Sequence, residues 1–580
     1  MRRRPTSTAA LFAPLALSSL IVLGGACGDG STGPADAGAG NDVTPADVAV
    51  DVGSADTTGD VGDVEADTVE PACGVSLPDG QRVVEKTING WRLRYDRQDG
   101  SWSLLPESGS QPLLAGTPSC HETTDTPPSV RIARGEPAAK TNLGNFEVDL
   151  GAMAWTKPPA SVPRLEPAGE GWALGWSAQL GGSSESIRLV FTPEKSAHLR
   201  VALQTESDDI DGAELNATCR DGESFFGLGT QVTGMDLRGG TYPLWTQEQG
   251  HGKPDDGGLF PVNNIPEAAY APMGVWYSTG GYAAILAQSS YSEIDLCDSN
   301  TSTLRLRSYR KLPAFVLVAE QEPKSRVEAV TEYTGRLSPP PPDWVFGPWL
   351  TAVGGPSRLE EVRRTARSRE IPASAIWSED WIGFEHTGSG ERLTYAWEWD
   401  QTQYPNLPTT IGELHDRGFA FLAYFNPFVP DSTDMWDEGK TGGYLLKTPM
   451  DELLTMKDPG LRNSSMVDVS NPDARDWLGG YQTKAAKDLG LDGWMADFAE
   501  WLPTDAQSHG GESGWVWHNR YPVLWQRANR AHLADAHQGD ESNDWTFFVR
   551  SGWASTDGGT PGAAPAMWAG DQLTDWTEND

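Results

Sequence analysis

The sequence predicts two folded domains in tandem, an antiparallel β-sandwich followed by a parallel barrel of alternating strands and helices, and three observations carry that expectation. Before Pro339 the chain runs in short alternating segments such as RLVFTP, LRVALQT and RLRSYR, separated by clusters of Gly, Asp, Pro and Ser, which is the texture of an all-β region. Four prolines, Pro339 to Pro342, punctuate the chain, and after them apolar strand-like runs alternate with helical stretches, the rhythm of a parallel sheet with crossovers. Two of the later runs, GWMADF and PAMWAGD, end in single carboxylates, Asp497 and Asp571. Strand C-termini of a parallel barrel converge on one face, so acids far apart in sequence can meet there.

The 580 residues, 38% of them hydrophobic, suffice for two or three domains with sizeable cores. Residues 1–27 read as an export signal: MRRR, an apolar run from Leu11 to Leu23, then Gly24, Gly25 and Ala26 before Cys27. The apolar run is shorter than the roughly 20 residues that span a bilayer. LGGAC resembles a bacterial lipobox, which implies lipidation of Cys27 and a cell-envelope lipoprotein; a periplasmic or secreted protein is the alternative. Residues 28–72 contain Asp and Glu but neither Lys nor Arg, and are expected to form a disordered, self-repelling acidic linker. Membrane contact is expected only through the lipid, and nothing in the chain specifies an oligomeric state.

A net charge of -37 excludes nucleic acid, whose phosphates need a basic footprint, and is compatible with a carbohydrate substrate. With nine His and no Cys/His cluster at ligand spacing, neither a metal nor a cofactor is expected. Residues 73–338 are assigned to the sandwich. Its four cysteines, Cys73, Cys120, Cys219 and Cys297, suggest two disulfides in an exported protein, with three connectivities open. Residues 339–580 are assigned to the barrel, with strands in FGPWLTA, AIWSEDW, GFAFLAYFNP, DGWMADF, DWTFFVR and PAMWAGD, and helices near 357–369, 409–417, 473–489 and 522–536. That gives six β/α units, an incomplete barrel with two exposed sheet edges, as a fragment, the product of a frameshifted gene, or a protein needing a partner would have.

A lone Asp after an apolar strand is as readily a helix N-cap or turn residue. The pair here, in GWMADFAEWLPTD and MWAGDQ, closely resembles the nucleophile and acid/base segments of glycoside hydrolase family 31, in particular its sulfoquinovosidase-like branch. The resemblance runs in order through FFGLGTQVTGMDLRGGTYPLWTQEQG, PPPPDWVFGPWL, WSEDWIG, AYFNPFV, HNRYPVLW and FFVRSG. It implies an N-terminal β-sandwich and a (β/α)8 TIM-type barrel, of which about six β/α units are present, and a retaining α-glycosidase with Asp497 as nucleophile and Asp571 as general acid/base. Burial among Trp494, Met567 and Trp568 is expected to raise the pKa of Asp571, with hydrogen bonds keeping Asp497 ionised.

The same resemblance makes Arg550 a residue that orients a carboxylate or binds a hydroxyl, and Asp380, Trp381 and Trp568 candidates for the sugar pocket. The positions that bind a sulfonate in the branch carry over to Val353, Glu379, Arg392 and Tyr395, where only the Arg is kept. Glu379 adds a negative charge that opposes a sulfonate, so a neutral α-hexoside or α-pentoside fits at least as well; a simple Glu379–Arg392 ion pair is the structural alternative. Glu500 is expected to cap or brace a following helix. Besides the glycosidase, a sulfoquinovosidase and a catalytically inactive surface lipoprotein that binds carbohydrate are the competing functions.

Overall fold

The computed structural model describes residues 77–571 except 78–79, 120–126, 143, 157–161, 181–182, 250–264, 298–302, 388–389, 459–461 and 539–543. The lipobox with Cys27, the acidic linker, Cys73 and Cys120 therefore lie outside the described residues.

The first half is a sandwich of two antiparallel sheets, one of ten strands and one of eight. The strand Thr303–Tyr309 shows why it folds this way: Leu304 and Leu306 point inward and are buried, while Arg305 and Arg307 on the other face are half-exposed. Its inward residues meet Leu189 and Phe191 of the opposite sheet, on Ser183–Pro193, in one core with Trp91, Trp102 and Trp176. Of the four sandwich cysteines, Cys219 and Cys297 form a disulfide across 78 residues of sequence.

The second half is a six-stranded parallel sheet in chain order: β1 (Trp349–Thr351), β2 (Ala375–Trp377), β3 (Ala420–Phe425), β4 (Gly493–Ala496), β5 (Thr546–Val549) and β6 (Ala566–Met567). All five pairings are parallel. The crossovers carry the helices Pro356–Ser368, Leu407–His415, Pro472–Leu489 and Tyr521–Ala536, close to the four ranges expected from sequence. β3 and β4 are buried almost throughout, as strands covered on both faces must be. β4 can approach β5 only because residue 493 is Gly, since a Cβ there would lie 1.6 Å from the Thr546 carbonyl oxygen. Among the described residues β1 and β6 each pair on one side only, and Phe346 beside β1 is 77% exposed.

The two halves are stitched together near the mouth of the sheet. The chain leaving the sandwich strand Thr241–Leu244 places Thr246 so that its amide and hydroxyl donate to Asn519 Oδ1 at 2.9 and 2.8 Å, while Asn519 Nδ2 donates to the Leu244 carbonyl at 2.9 Å. Trp245 stacks on His518 at 3.9 Å with the planes 9° apart. These contacts fix the following residues, Glu248 and Gln249, over the barrel.

Candidate active site

The groups expected to act in chemistry come off the C-terminal ends of the parallel strands. Asp497 follows β4 directly, Arg550 follows β5 directly, Asp571 lies four residues beyond β6, and Glu379 lies two residues beyond β2. Asp497 is 8% exposed. Its Oδ2 accepts the Tyr424 hydroxyl at 2.7 Å, and its Oδ1 accepts the Phe498 amide at 2.8 Å. Its own amide donates to the Phe425 carbonyl at 2.8 Å, which locks the strand end to β3. The chain then turns through left-handed conformations at Phe498 (φ 58°) and Ala499 (φ 85°), two adjacent non-glycine residues in a region such side chains seldom occupy. That turn drives Glu500 inward, fully buried.

Arg550, 2% exposed, is the hub of the cluster. Its Nη2 donates to Glu500 Oε1 at 2.6 Å and to Glu248 Oε1 at 3.1 Å, and its Nη1 donates to Asp571 Oδ2 at 2.8 Å. Its Nε reaches Glu500 Oε1 at 3.1 Å and Asp497 Oδ1 at 3.4 Å. The guanidinium lies between the rings of Phe498 and Tyr270, 4.4 and 4.7 Å from their centroids. One cation thus holds four carboxyl groups, including both acids singled out from sequence, and its planar fork is suited to doing so.

More acids than cations in a buried space means that protons are retained. Burial, then repulsion from Glu248 and Asp497, pushes the Glu500 carboxyl up to about 8 despite Arg550. Burial also raises Asp497 above its ordinary range, outweighing Arg550 and the donors Tyr424 and Phe498. The Glu379 carboxyl is pushed up to about 7, first by burial and then by the charges of Asp497, Asp380 and Asp571.

Several expectations from sequence need correction. The side chain of Asp571 is 70% exposed and paired with Arg550, rather than enclosed by Trp494, Met567 and Trp568. Trp494 is wholly buried in the core, Met567 is 37% exposed, and β6 is an edge strand with no described strand beyond it. Burial therefore acts on Asp497, the reverse of the expected division. Asp380 has no exposure and no vacant acceptor site: Ser378 Oγ donates to it at 2.7 Å, the Tyr404 hydroxyl at 2.5 Å, the Gly354 amide at 2.9 Å, and Gln403 Nε2 as well. It braces the loops after β1 and β2 rather than receiving a sugar hydroxyl. Trp381 is also fully buried, with its indole N–H on the Tyr424 carbonyl at 3.1 Å, so it offers no open stacking face. Glu500 braces Arg550 and not a helix. Arg392 pairs with Glu385 at 3.3 Å across the Phe384–Thr387 and Gly390–Leu393 hairpin, because antiparallel register sets those residues opposite each other. Glu379 makes no hydrogen bond or ion pair to the described residues, so the Glu379–Arg392 pair is not formed.

Tyr395, at φ 50°, stacks on Trp397 at 5.5 Å and on Tyr424 at 6.2 Å, which places it over the group that holds Asp497. Trp568 is half-buried edge-on to Phe548 at 5.3 Å. Glu248, Tyr270 and Tyr424 are the site residues that sequence reasoning missed. Glu248 stands in TQEQG and Tyr424 in AYFNPFV, both inside motifs that had been singled out, but no periodicity marks them.

A β-sandwich set against a parallel barrel whose strand ends gather carboxylates is a layout of barrel glycoside hydrolases. Residues 338–579 match the TIM-barrel domain of glycosyl hydrolases family 31, and the barrel region of the chain belongs to that family. It is 31% identical over 421 residues to the sulfoquinovosidase of Escherichia coli (strain K12), covering 71% of this chain and 60% of that protein. It is 29% identical over 417 residues to the sulfoquinovosidase of Agrobacterium fabrum, covering 69% and 60%. The chain thus spans about 60% of the length of these relatives. A GH31 family sulfoquinovosidase from E. rectale, solved with an aza-sugar inhibitor, superposes with a TM-score of 0.70 at 23% identity, over 85% of this chain and 69% of that one.

Proposed function

We propose that the chain is a retaining α-glycosidase that hydrolyses terminal α-linked sugars, with Asp497 as nucleophile and Asp571 as general acid/base. The observation that carries this reading is the single guanidinium of Arg550 touching both carboxyls at the mouth of the barrel. Membership of the barrel region in family 31 supports it.

In the first step an Asp497 oxygen forms a bond to the anomeric carbon as the bond to the leaving oxygen breaks, and Asp571 gives that oxygen its proton. In the second, the Asp571 carboxylate takes a proton from water, whose oxygen attacks the anomeric carbon and releases Asp497. Tyr424 and the Phe498 amide hold the two Asp497 oxygens in place for attack. Arg550 draws Asp497 towards its ionised form, against the burial that raises it. The exposed position of Asp571 leaves it accessible to water.

A neutral sugar is favoured over a sulfonate, because Glu379 has no hydrogen-bond or ion-pair partner among the described residues and the strongest charges acting on it are all negative. The sulfoquinovosidase reading is supported by the names of the relatives. Export and lipidation at Cys27 are part of the same proposal and rest on the N-terminal sequence.

The deciding experiment is release of p-nitrophenol from α-glucoside, α-xyloside, α-galactoside and α-sulfoquinovoside, run beside Asp497→Ala. Turnover lost in the variant supports the glycosidase, and the preferred sugar separates neutral from sulfonated substrate. Folded protein without turnover on any of the four favours the carbohydrate-binding lipoprotein instead.

A further inference from the structure

Asp571 is the least enclosed member of the cluster, yet the proposed chemistry needs it held to a fraction of an ångström. Its own strand, β6, has two residues and, among the described residues, pairs with β5 alone. Its direct partner is the barrel residue Arg550, and further contacts that hold this segment come from the sandwich half. Gln249, 3% exposed, donates from Nε2 to the carbonyl of Ala569 at 3.3 Å, two residues before Asp571. Tyr270 packs against Gly570, where a Cβ would lie 2.1 Å from its ring; that residue has φ 88°, so glycine is needed on both counts. Glu248 fixes the Arg550 guanidinium that pairs with Asp571.

Glu248 is itself immobilised. The Tyr270 hydroxyl donates to its Oε2, the Trp501 indole donates to its Oε1 at 2.9 Å, and its amide donates to the Gly144 carbonyl at 2.9 Å, on the sandwich hairpin Ala138–Asn142 and Asn145–Asp149. Residues 248, 249 and 270 all precede the stretch that matches the barrel domain, 338–579.

We infer that Glu248 and Gln249 form a two-point clamp by which the sandwich domain positions Asp571 for proton transfer, one point acting through Arg550 and the other through the backbone before Asp571. Both are positioning residues, and the inference rests on the glycosidase reading. The barrel half, on this account, is not a self-sufficient catalyst: the domain in front of it sets the acid/base geometry.

The test separates proton delivery from everything else by changing the leaving group. An alkoxide departs only if its oxygen receives a proton as the C–O bond breaks, whereas fluoride departs as the anion. The full chain and its Glu248→Gln, Gln249→Met, Gln249→Glu and Asp571→Ala variants are assayed on the methyl α-glycoside and the α-glycosyl fluoride of the sugar that wild type prefers. Loss of general acid catalysis typically costs about a hundredfold to ten-thousandfold. Each clamp variant is expected to lose kcat/KM on the methyl glycoside by at least about tenfold more than on the fluoride, in the direction of Asp571→Ala. The upper limb of its pH profile is expected to shift as well. Gln249→Glu keeps the side-chain length but turns an acceptor towards the Ala569 carbonyl, so it shows the same selective loss without a packing defect. Equal losses on the two substrates, or no loss, overturn the clamp while leaving the glycosidase intact. A wild type that turns over neither substrate, or an Asp497→Ala variant as active as wild type, overturns the glycosidase reading and the clamp with it.

Discussion

Replacing Arg550 by Ala is the perturbation to which this site is most sensitive, and its magnitude follows from which of the four carboxyls are buried. The contact with Asp571 contributes little, since that side chain is 70% exposed and an exposed ion pair is worth about 0–1 kcal/mol. Asp497, Glu500 and Glu248 have side chains 11%, 0% and 12% exposed, and removing their shared cation leaves buried charge uncompensated. Breaking one buried pair in this way costs about 3–5 kcal/mol. The loss depends on pH. Without Arg550 the folded-state pKa values of Asp497 and Glu500 rise further above their unfolded values, so the deficit is smallest where these carboxyls are protonated in the folded state as well. It grows as the pH climbs through the wild-type folded values, that of Glu500 standing at about 8, because only there does the missing cation face an ionised group. Guanidinium unfolding followed by Trp fluorescence at about pH 5 and about pH 8 is therefore expected to show a destabilisation of several kcal/mol at the higher pH and a clearly smaller one at the lower. Arg550→Lys restores one point charge without the fork, and is expected to recover part of the stability but not turnover. A loss under about 1 kcal/mol, or one that is the same at both pH values, would refute the assignment of Arg550 as the hub of a buried acidic cluster.

The remaining expectations concern charge selection, the hydrogen bond to Asp497, and the sandwich. Because Glu379 ionises near about 7, the ratio of α-sulfoquinovoside to α-glucoside turnover should fall as pH rises through that value, and Glu379→Gln should flatten the ratio; a wild-type ratio already flat between about pH 6 and 8 speaks against Glu379 as a selector. Tyr424→Phe deletes the hydroxyl that donates to Asp497 at 2.7 Å, a charge-assisted bond worth about 1.5–3 kcal/mol, and should lower kcat while moving the acidic limb of its pH profile upward. Replacing Cys219 and Cys297 together by Ser should cost about 4 kcal/mol of sandwich stability, given the 78 residues between them, measurable as a lower guanidinium midpoint.

The order of elements and the two candidate acids were legible in the chain because both rest on local pattern. A buried strand such as GWMA must be apolar throughout, and a helix such as Pro472–Leu489 repeats its apolar face every turn, so the six strands and four helices announce themselves. A strand that ends in Asp puts that Asp at the mouth of a parallel sheet, which is enough to place Asp497 and Asp571 on one face. What each group experiences there is a different matter. Asp380 follows its strand as plainly as Asp497 does, yet four donors from three separate loops consume it, and no window of sequence contains those donors. Burial was assigned to Asp571 from its Trp and Met neighbours along the chain, whereas the neighbours that count are those in space. Among the described residues β4 lies inside the sheet and β6 at its edge, and Asp497 is the one withdrawn from water. Glu248 belongs to the sandwich by sequence and to the site by contact, 302 residues from the guanidinium it holds. Period and strand polarity are properties of short segments, and the sequence by itself determined the fold class and the candidate acids through them. Solvation, hydrogen-bond saturation and charge balance sum over everything within a few ångströms, and only the tertiary structure decides what stands there.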